Sequence, residues 1–135
     1  MKRIVFDSFA FIAFFRDEPG SDFVKDLLVK MSNDEIEGYI TTINIGEIYY
    51  MICRKSNAKA ADMAMAALKQ FPLHIAEADL KLTMEAAVIK AKYTLSYADA
   101  FAAALTINKK ATLITGDKEF DSLVGEVNFK VKYLV

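Results

Sequence analysis

The chain has 135 residues, of which 54% are hydrophobic and 12% aromatic, and its formal net charge is −1. This length suits a single domain over 1–135, and the composition excludes a disordered or linker-rich chain. The single cysteine excludes an intramolecular disulfide and a cysteine-rich zinc cluster. The near-neutral charge excludes a global basic field for nucleic acid, although a local patch can still serve.

The start of the sequence and its apolar runs bear on where the protein resides. The apolar run that follows Met1-Lys2-Arg3 is too short for the core of a signal peptide. No stretch is both long and uncharged enough to span a bilayer. We therefore expect a soluble, cytoplasmic protein without a membrane partner.

The first element is a short apolar run that leads into a carboxylate. Ile4, Val5 and Phe6 are consecutive apolar residues, and Asp7 follows directly. Such a run is typical of a strand buried on both faces, as in a parallel sheet. Ligands bind at the carboxyl edge of open α/β sheets. We therefore expect Asp7 at that edge, with Ser8 beginning the next helix.

Strand and helix patterns alternate through the rest of the chain. Later strands are expected at 39–41, 73–75, 111–115 and 129–133, the last an edge strand with outward lysines. The spacing of apolar residues predicts helices over 9–15, 21–31, 44–53, 60–71, 80–91 and 96–105. This alternation predicts an α/β fold with helices on both faces of a mostly parallel sheet of about five strands.

Local signals predict where several helices begin and which face they bury. Ser21 and Ser96 are candidate N-caps, and Asn44 has the spacing to Glu47 of a capping box. The helix over 80–91 is expected to be lined by its apolar residues Leu80, Met84, Ala87, Val88 and Ala91. Cys53 is expected to be a small core residue, and His74, the only histidine, an ordinary strand residue.

Four acidic residues follow a predicted strand or lie in the first turn of the helix after one: Asp7, Glu47, Asp99 and Asp117. Each alone has an ordinary explanation as a helix cap, a capping-box partner or a turn residue. A parallel sheet, however, sends the carboxyl ends of its strands to one edge. The topology therefore predicts that all four acids converge.

Converging carboxylates repel one another, so they stay ionised only if cations neutralise them. Mg²⁺ and Mn²⁺ prefer oxygen ligands and are the natural cations for such a site. A bound ion of this kind activates water and stabilises the charge on a scissile phosphate. The pattern therefore favours metal-dependent phosphodiester hydrolysis.

The segments that carry these acids resemble the motifs of the PIN-domain nucleases, most closely the VapC-type toxins of toxin–antitoxin pairs. The resemblance covers essentially the whole chain, in order. It implies a three-layer α/β/α fold, Mg²⁺- or Mn²⁺-dependent cleavage of RNA, a homodimer and a small antitoxin partner. The resembling segments are Val5-Phe6-Asp7-Ser8, Thr42-Ile43-Asn44-Ile45-Gly46-Glu47, Leu95-Ser96-Tyr97-Ala98-Asp99-Ala100-Phe101 and Leu113-Ile114-Thr115-Gly116-Asp117-Lys118-Glu119-Phe120.

Position by position, the four acids match the acidic quartet of that family. The resemblance implies that Asp7 and Asp99 bind a metal ion directly. Glu47 and Asp117 would bind a second ion or orient water. The supporting polar positions of the family are matched by Ser8, Asn44 and Thr115.

The sequence also departs from the family pattern and leaves some roles open. Phe9 stands where the family often has a small or polar residue, which would narrow the mouth of the site. Glu119 and Asp121 are expected to be solvated surface. The basic residues that could contact RNA phosphates remain unassigned: Arg16, Lys25, Arg54, Lys55, Lys92 and Lys118.

Two other classes of protein fit parts of the pattern. A receiver-like phosphoacceptor domain also has a doubly wound sheet and an acidic Mg²⁺ pocket, but it needs adjacent acids after the first strand. A PIN-like module that only binds RNA or protein is the second alternative, and the intact acids argue against it.

Overall fold

A five-stranded sheet forms the middle of the molecule. The computed structural model describes residues 1–126 and 129–135. All neighbouring strands are parallel, in the order β3-β2-β1-β4-β5. The strands are β1 (Lys2–Phe6), β2 (Ile36–Thr41), β3 (Leu73–Ala76), β4 (Thr112–Thr115) and β5 (Lys130–Tyr133). The predicted α/β fold and all five predicted strands are confirmed.

Within the described residues, six α-helices connect these strands, and a short 3-10 helix, Lys118–Ser122, follows β4. No helix in the described part of the chain has the length and apolar character needed to cross a membrane. The α-helices are α1 (Ser8–Phe15), α2 (Ser21–Ser32), α3 (Thr42–Lys55), α4 (Ala58–Leu68), α5 (Leu80–Lys92) and α6 (Tyr97–Asn108).

The helices form one layer on each side of the sheet. Side chains alternate along β1, so Ile4 and Phe6 face one side and Val5 the other. The first side packs against α1–α4, where Phe11 is fully buried. The second side packs against α5, α6 and the 3-10 helix, where Phe101 lies in the core. The predicted three-layer α/β/α architecture is therefore confirmed.

The strand order places a topological switch beside β1. The chain runs from β1 outward to β2 and β3, then crosses to the opposite side of β1 to form β4 and β5. Open α/β sheets bind ligands in the crevice at such a point. Receiver-like domains have the different order 2-1-3-4-5. The observed order excludes the receiver-like alternative.

Two predicted helix starts are wrong, and one is confirmed. Gly20, with φ of 98°, precedes α2, and Ser21 is already helical. Helix α3 begins at Thr42, and its N-cap is Thr41 rather than Asn44. The N-cap is the residue directly before the first turn whose side-chain oxygen accepts a hydrogen bond from a free backbone N–H, and in α3 Thr41 has that position. Ser96 caps α6 as predicted.

The buried face of α5 also differs from the prediction. Its core contacts come from Leu82, Ala86 and Ile89. Leu80, Met84 and Val88 are instead 77%, 56% and 58% exposed. Apolar residues occur on both sides of this helix, so spacing alone could not identify the side that packs against the sheet layer. We call the exposed row the α5 stripe.

Cys53 and His74 occupy structural positions, as expected. Cys53 is partly buried and packs against the core between the sheet and α1–α4. His74 is exposed on β3, and its ring stacks on Tyr39 with centroids 4.9 Å apart. Neither residue lines the cavity at the carboxyl edge of the sheet.

Candidate active site

A cavity of about 270 Å³ opens at the carboxyl edge of the sheet, beside the topological switch. The structure brings all four predicted acids to its wall. Asp7 follows β1, Glu47 lies in α3, Asp99 lies in the first turn of α6 and Asp117 follows β4. These four carboxylates therefore come from four segments that are distant in sequence, and Glu18 and Glu119 also line the cavity.

Asp7 is buried and held by hydrogen bonds at both side-chain oxygens. The Ala10 N–H donates to its Oδ1 at 2.9 Å, so the carboxylate caps α1. The Thr115 hydroxyl donates to its Oδ2. The Asp7 backbone N–H donates to the carbonyl oxygen of Ile114 at 3.3 Å, which ties the end of β1 to β4. These bonds fix the orientation of the carboxylate.

The electrostatic surroundings of Asp7 disfavour its charge. The pKa of Asp7 is raised from 3.8 to about 8, and burial is the largest cause. The hydrogen bonds from Thr115 and Ala10 lower the pKa, whereas the negative charges of Asp99 and Asp117 contribute to the rise. A carboxyl group with this pKa ionises near neutral pH when a cation stabilises the charge.

Asp99 is the second acid with a displaced pKa. The Ser96 hydroxyl accepts a hydrogen bond from the Asp99 backbone N–H at 3.1 Å, and this bond positions Asp99 at the start of α6. Its pKa is raised from 3.8 to about 7 by burial and by the charges of Asp117, Glu47 and Glu119, while the hydrogen bond with Ser96 lowers it. The four predicted acids and Glu119 thus interact electrostatically.

Asp117 and Glu119 complete the side of the cavity that follows β4. The Asp117 N–H donates to Thr115 Oγ1 at 2.9 Å, and Asp117 Oδ1 accepts from the Glu119 N–H at 2.9 Å. Ligand atoms of Asp99, Asp117 and Glu119 all lie within 4.8 Å of one another. Glu119 is exposed, as expected for a surface residue. Its carboxylate nevertheless belongs to this cluster, which the sequence did not predict.

Asn44 and Thr41 support Glu47 from below the cavity. Asn44 is fully buried, and its Nδ2 donates to Glu47 Oε1 at 3.4 Å and to the Ala98 carbonyl at 3.3 Å. The Thr41 hydroxyl donates to Asn44 Oδ1 at 2.6 Å and orients the amide. The sequence analysis did not identify Thr41 as a supporting residue, although a threonine three residues before Asn44 has the spacing of an N-cap.

The predicted supporting residues therefore fall into two groups. Ser8 lines the cavity at the start of α1, whereas Thr115 and Asn44 lie beneath its wall and bond to the acids. Asp121 lies apart from the acids and accepts a hydrogen bond from the Tyr133 hydroxyl. The sequence grouped Asp121 with Glu119, and the structure separates them.

The donor set fits a hard divalent cation. The ion pairs of the described residues join Arg3 to Glu37 and Arg16 to Glu18, so the cavity-lining Glu18 is paired, whereas none of these ion pairs involves Asp7, Glu47, Asp99, Asp117 or Glu119. Clustered carboxylate oxygens without a soft sulfur or imidazole ligand suit Mg²⁺ or Mn²⁺. Burial and neighbouring negative charges raise the pKa values of Asp7 and Asp99, and a bound cation would oppose both effects.

Fold and site together define a class of protein, namely a three-layer α/β/α domain with an acidic cavity at the switch point of a parallel sheet. Residues 4–126 match the family model of the PIN domain. The chain therefore belongs to the PIN domain family. Among proteins with curated functions, none matches the sequence significantly.

Solved structures share the fold at low sequence identity. The VapBC2 complex of Rickettsia felis, bound to a promoter DNA fragment, has a chain with a TM-score of 0.75 and 15% identity, covering 97% of this chain and 98% of that one. VapC20 of Mycobacterium tuberculosis, described as a toxin that cleaves the sarcin–ricin loop, has a TM-score of 0.75 and 16% identity, over 90% and 95%. DNA-bound VapBC of Salmonella typhimurium has a TM-score of 0.74 and 13% identity, over 100% of both chains.

Proposed function

We propose that this PIN domain is an endoribonuclease that depends on Mg²⁺ or Mn²⁺, and that Asp7, Glu47, Asp99 and Asp117 form its metal site. One observation carries the proposal. Four carboxylates from separate segments line one cavity at the sheet edge, where burial and the neighbouring negative charges raise the pKa values of Asp7 and Asp99 to about 8 and 7. Such a cluster is suited to cation binding.

Each acid has a role that its surroundings favour. Asp7 and Asp99 are the direct ligands, since hydrogen bonds fix the position of each: to the side chain of Asp7 and to the backbone of Asp99. Glu47 and Asp117 bind a second ion or orient the attacking water. A bound divalent ion supplies an activated water and stabilises negative charge on the scissile phosphate. Hydrogen bonds to Thr115 hold Asp7 and Asp117 in position, and a hydrogen bond from Asn44 does the same for Glu47.

We further propose that the protein is the toxin of a toxin–antitoxin pair, is cytoplasmic, and binds a small antitoxin. The similar structures support this, since they are described as DNA-bound VapBC proteins and as a VapC toxin that cleaves the sarcin–ricin loop. A homodimer is part of the proposal. The α5 stripe supports it, because a contiguous row of exposed apolar side chains favours a protein contact.

Cleavage of a mixed RNA pool with Mg²⁺, with Mn²⁺ and with EDTA tests the nuclease. We expect cleavage with either ion and none in EDTA. Asp99→Asn is expected to reduce cleavage at least 100-fold, about 2.7 kcal/mol of activation free energy, because it removes a charged ligand. Asp22→Asn is the matched control, since Asp22 also lies in the first turn of a helix but outside the cavity.

Other outcomes separate the proposal from its alternative. A fully active Asp99→Asn variant would contradict the site assignment. If wild type cleaves no RNA, a Mn²⁺ titration by calorimetry decides between the two readings. Binding by wild type and not by Asp99→Asn retains the metal site of a sequence-specific nuclease, whereas no binding by either protein identifies a module that only binds RNA or protein.

A further inference from the structure

The cavity has a second half that the acidic residues leave unexplained. Phe9 and Ile12, one helical turn apart on α1, form part of its wall, and Met51 on α3 faces the same space. These three side chains are apolar and offer nothing to a metal ion or a phosphate. The cavity therefore combines an acidic end with a largely apolar end, and it is also lined by Glu18, whose carboxylate accepts a hydrogen bond from Arg16 Nε.

The side chains of helix α3 that line the cavity change in character along the helix, from acidic to apolar to basic. Glu47, Met51 and Lys55 follow one another at intervals of four residues, and all three line it. This row spans about 12 Å of helix at 1.5 Å per residue. Among the described residues that line the cavity, Lys55 is the only basic one. The order along the row is acid, apolar and cation.

Phe9 is held at the junction of the two ends. It lies two residues after Asp7, and its ring packs so close to Gly116 that a Cβ at position 116 would stand 2.2 Å from Phe9 Cε1. The ring nevertheless remains 44% exposed. An aromatic residue of this kind is fixed by its contact with the Gly116-Asp117 turn and keeps surface free for a ligand.

We propose that Phe9, with Ile12 and Met51, forms a stacking pocket for the base of a nucleotide next to the scissile phosphate, and that Lys55 contacts a neighbouring phosphate. This inference rests on the proposed ribonuclease function. Aromatic side chains beside a phosphate-binding site stack on unpaired bases in single-stranded nucleic acid. The occupant is therefore RNA, and the contact favours no particular base strongly.

The size of the cavity further restricts the substrate. Its volume of about 270 Å³ lies just below the range of small-molecule pockets, which begins at about 300 Å³. One nucleotide can enter such a space, but a paired duplex cannot present a base to it without unstacking. The stacking pocket therefore requires an unpaired base, so a duplex should bind more weakly than a single strand.

Binding of a labelled single-stranded RNA 12-mer tests the pocket, with an abasic strand of the same length and charge as the second probe. Ca²⁺ replaces Mg²⁺ so that the strand stays intact, which a gel verifies. Phe9→Leu should weaken binding of the base-containing strand about 5- to 150-fold and leave the abasic strand unaffected. Phe9→Trp should retain binding of both strands.

Two further variants act as controls. Tyr50 is 46% exposed and does not line the cavity, so Tyr50→Leu should change neither affinity. Lys55→Gln should weaken both strands alike and reduce the salt dependence of binding by about one phosphate contact, because its contact does not involve the base. The Mn²⁺ affinity of Phe9→Leu should equal that of wild type, since Phe9 is not a ligand.

The outcomes separate this inference from the proposed function. Unchanged RNA affinity in Phe9→Leu, equal losses on both strands, or equal affinity of wild type for duplex and single strand would each overturn the stacking pocket. Wild type that binds Mn²⁺ but no RNA would overturn it as well and would favour a protein segment as the occupant. If wild type and Phe9→Leu both cleave RNA in a metal-dependent manner and at identical sites, the proposed nuclease function is retained and the stacking pocket is overturned.

Discussion

At the scale of single residues, the site is governed by carboxylates that lack compensating charge. Asp7 and Asp99 are destabilised in their ionised forms by burial and by their acidic neighbours. Thr115 connects two of the acids, because it donates to Asp7 and accepts from the Asp117 N–H. The repulsion between the carboxylates and the hydrogen bonds that hold them can therefore be tested by separate substitutions.

Removing one charge should stabilise the metal-free protein. Asp99→Asn eliminates repulsion with Asp117, Glu47 and Glu119, while the capping bond of its backbone N–H to Ser96 is retained. In EDTA at pH 8 we expect the variant to melt at a higher temperature than wild type. Thermal melts of both proteins measure this. A lower melting temperature of the variant would contradict net repulsion at the site.

Thr115→Val tests the hydrogen bonds without a large change in volume. The variant leaves Asp7 Oδ2 and the Asp117 N–H without their partner. We expect a loss of about 1–3 kcal/mol in the free energy of unfolding and a Mn²⁺ affinity about tenfold lower. Denaturant melts and calorimetry measure the two effects, with Thr115→Ser as the control that retains the hydroxyl. Unchanged Mn²⁺ affinity in Thr115→Val would show that Thr115 does not position the ligands.

At the scale of elements, helix starts position three of the four acids. Asp7 is itself the N-cap of α1, Glu47 lies in the second turn of α3, and Asp99 lies in the first turn of α6. Helices α1 and α3 begin directly after the carboxyl ends of β1 and β2, and α6 begins after the loop that follows α5. Helix capping and site assembly consequently depend on the same residues.

Replacing the cap of α6 should affect both stability and the site. Ser96→Ala removes the acceptor for the Asp99 N–H, which should cost about 1 kcal/mol and about 2–5 °C in melting temperature. Mn²⁺ affinity should also fall, because Asp99 is the residue whose backbone is released. Ser21→Ala is the matched control, since Ser21 begins α2 without capping it. Equal effects of the two substitutions would contradict a capping role for Ser96.

At the scale of the whole molecule, the strand order brings residues 7, 47, 99 and 117 to one edge and accumulates negative charge there. Among the described residues that line the cavity, the single basic residue is Lys55, at the far end of the row on α3. The stability of the protein therefore depends on the ionisation of its site.

The pH dependence of metal-free stability follows from the sign of the pKa changes. Asp7 and Asp99 have folded pKa values of about 8 and 7, above their ordinary value of 3.8, so between about pH 4 and 8 the folded state binds more protons than the unfolded state. Their contribution to the free energy of unfolding is fully present below that window and is lost as pH rises through it.

Melts in EDTA across pH 5 to 8.5 measure this contribution. The melting temperature of wild type should decline more steeply than that of Asp99→Asn, and the difference between the two isolates the site from other titrating groups. Saturating Mg²⁺ at each pH should reduce the decline, because the ion stabilises the ionised carboxylates. Parallel curves for the two proteins would contradict the shifted pKa of Asp99.

The sequence by itself determined the elements and the nature of the candidate site. Apolar runs, helical spacing and the serine at 96 are local signals, and the parallel fold and the α6 cap follow from them. Tertiary structure decided which residues meet. It showed that Glu119 joins the acids, that Thr41 caps α3, that α5 buries Leu82 rather than Leu80, and that Phe9 packs on Gly116. Periodicity encodes which residues repeat along one element, whereas contacts between elements depend on strand order and packing, which no local pattern contains.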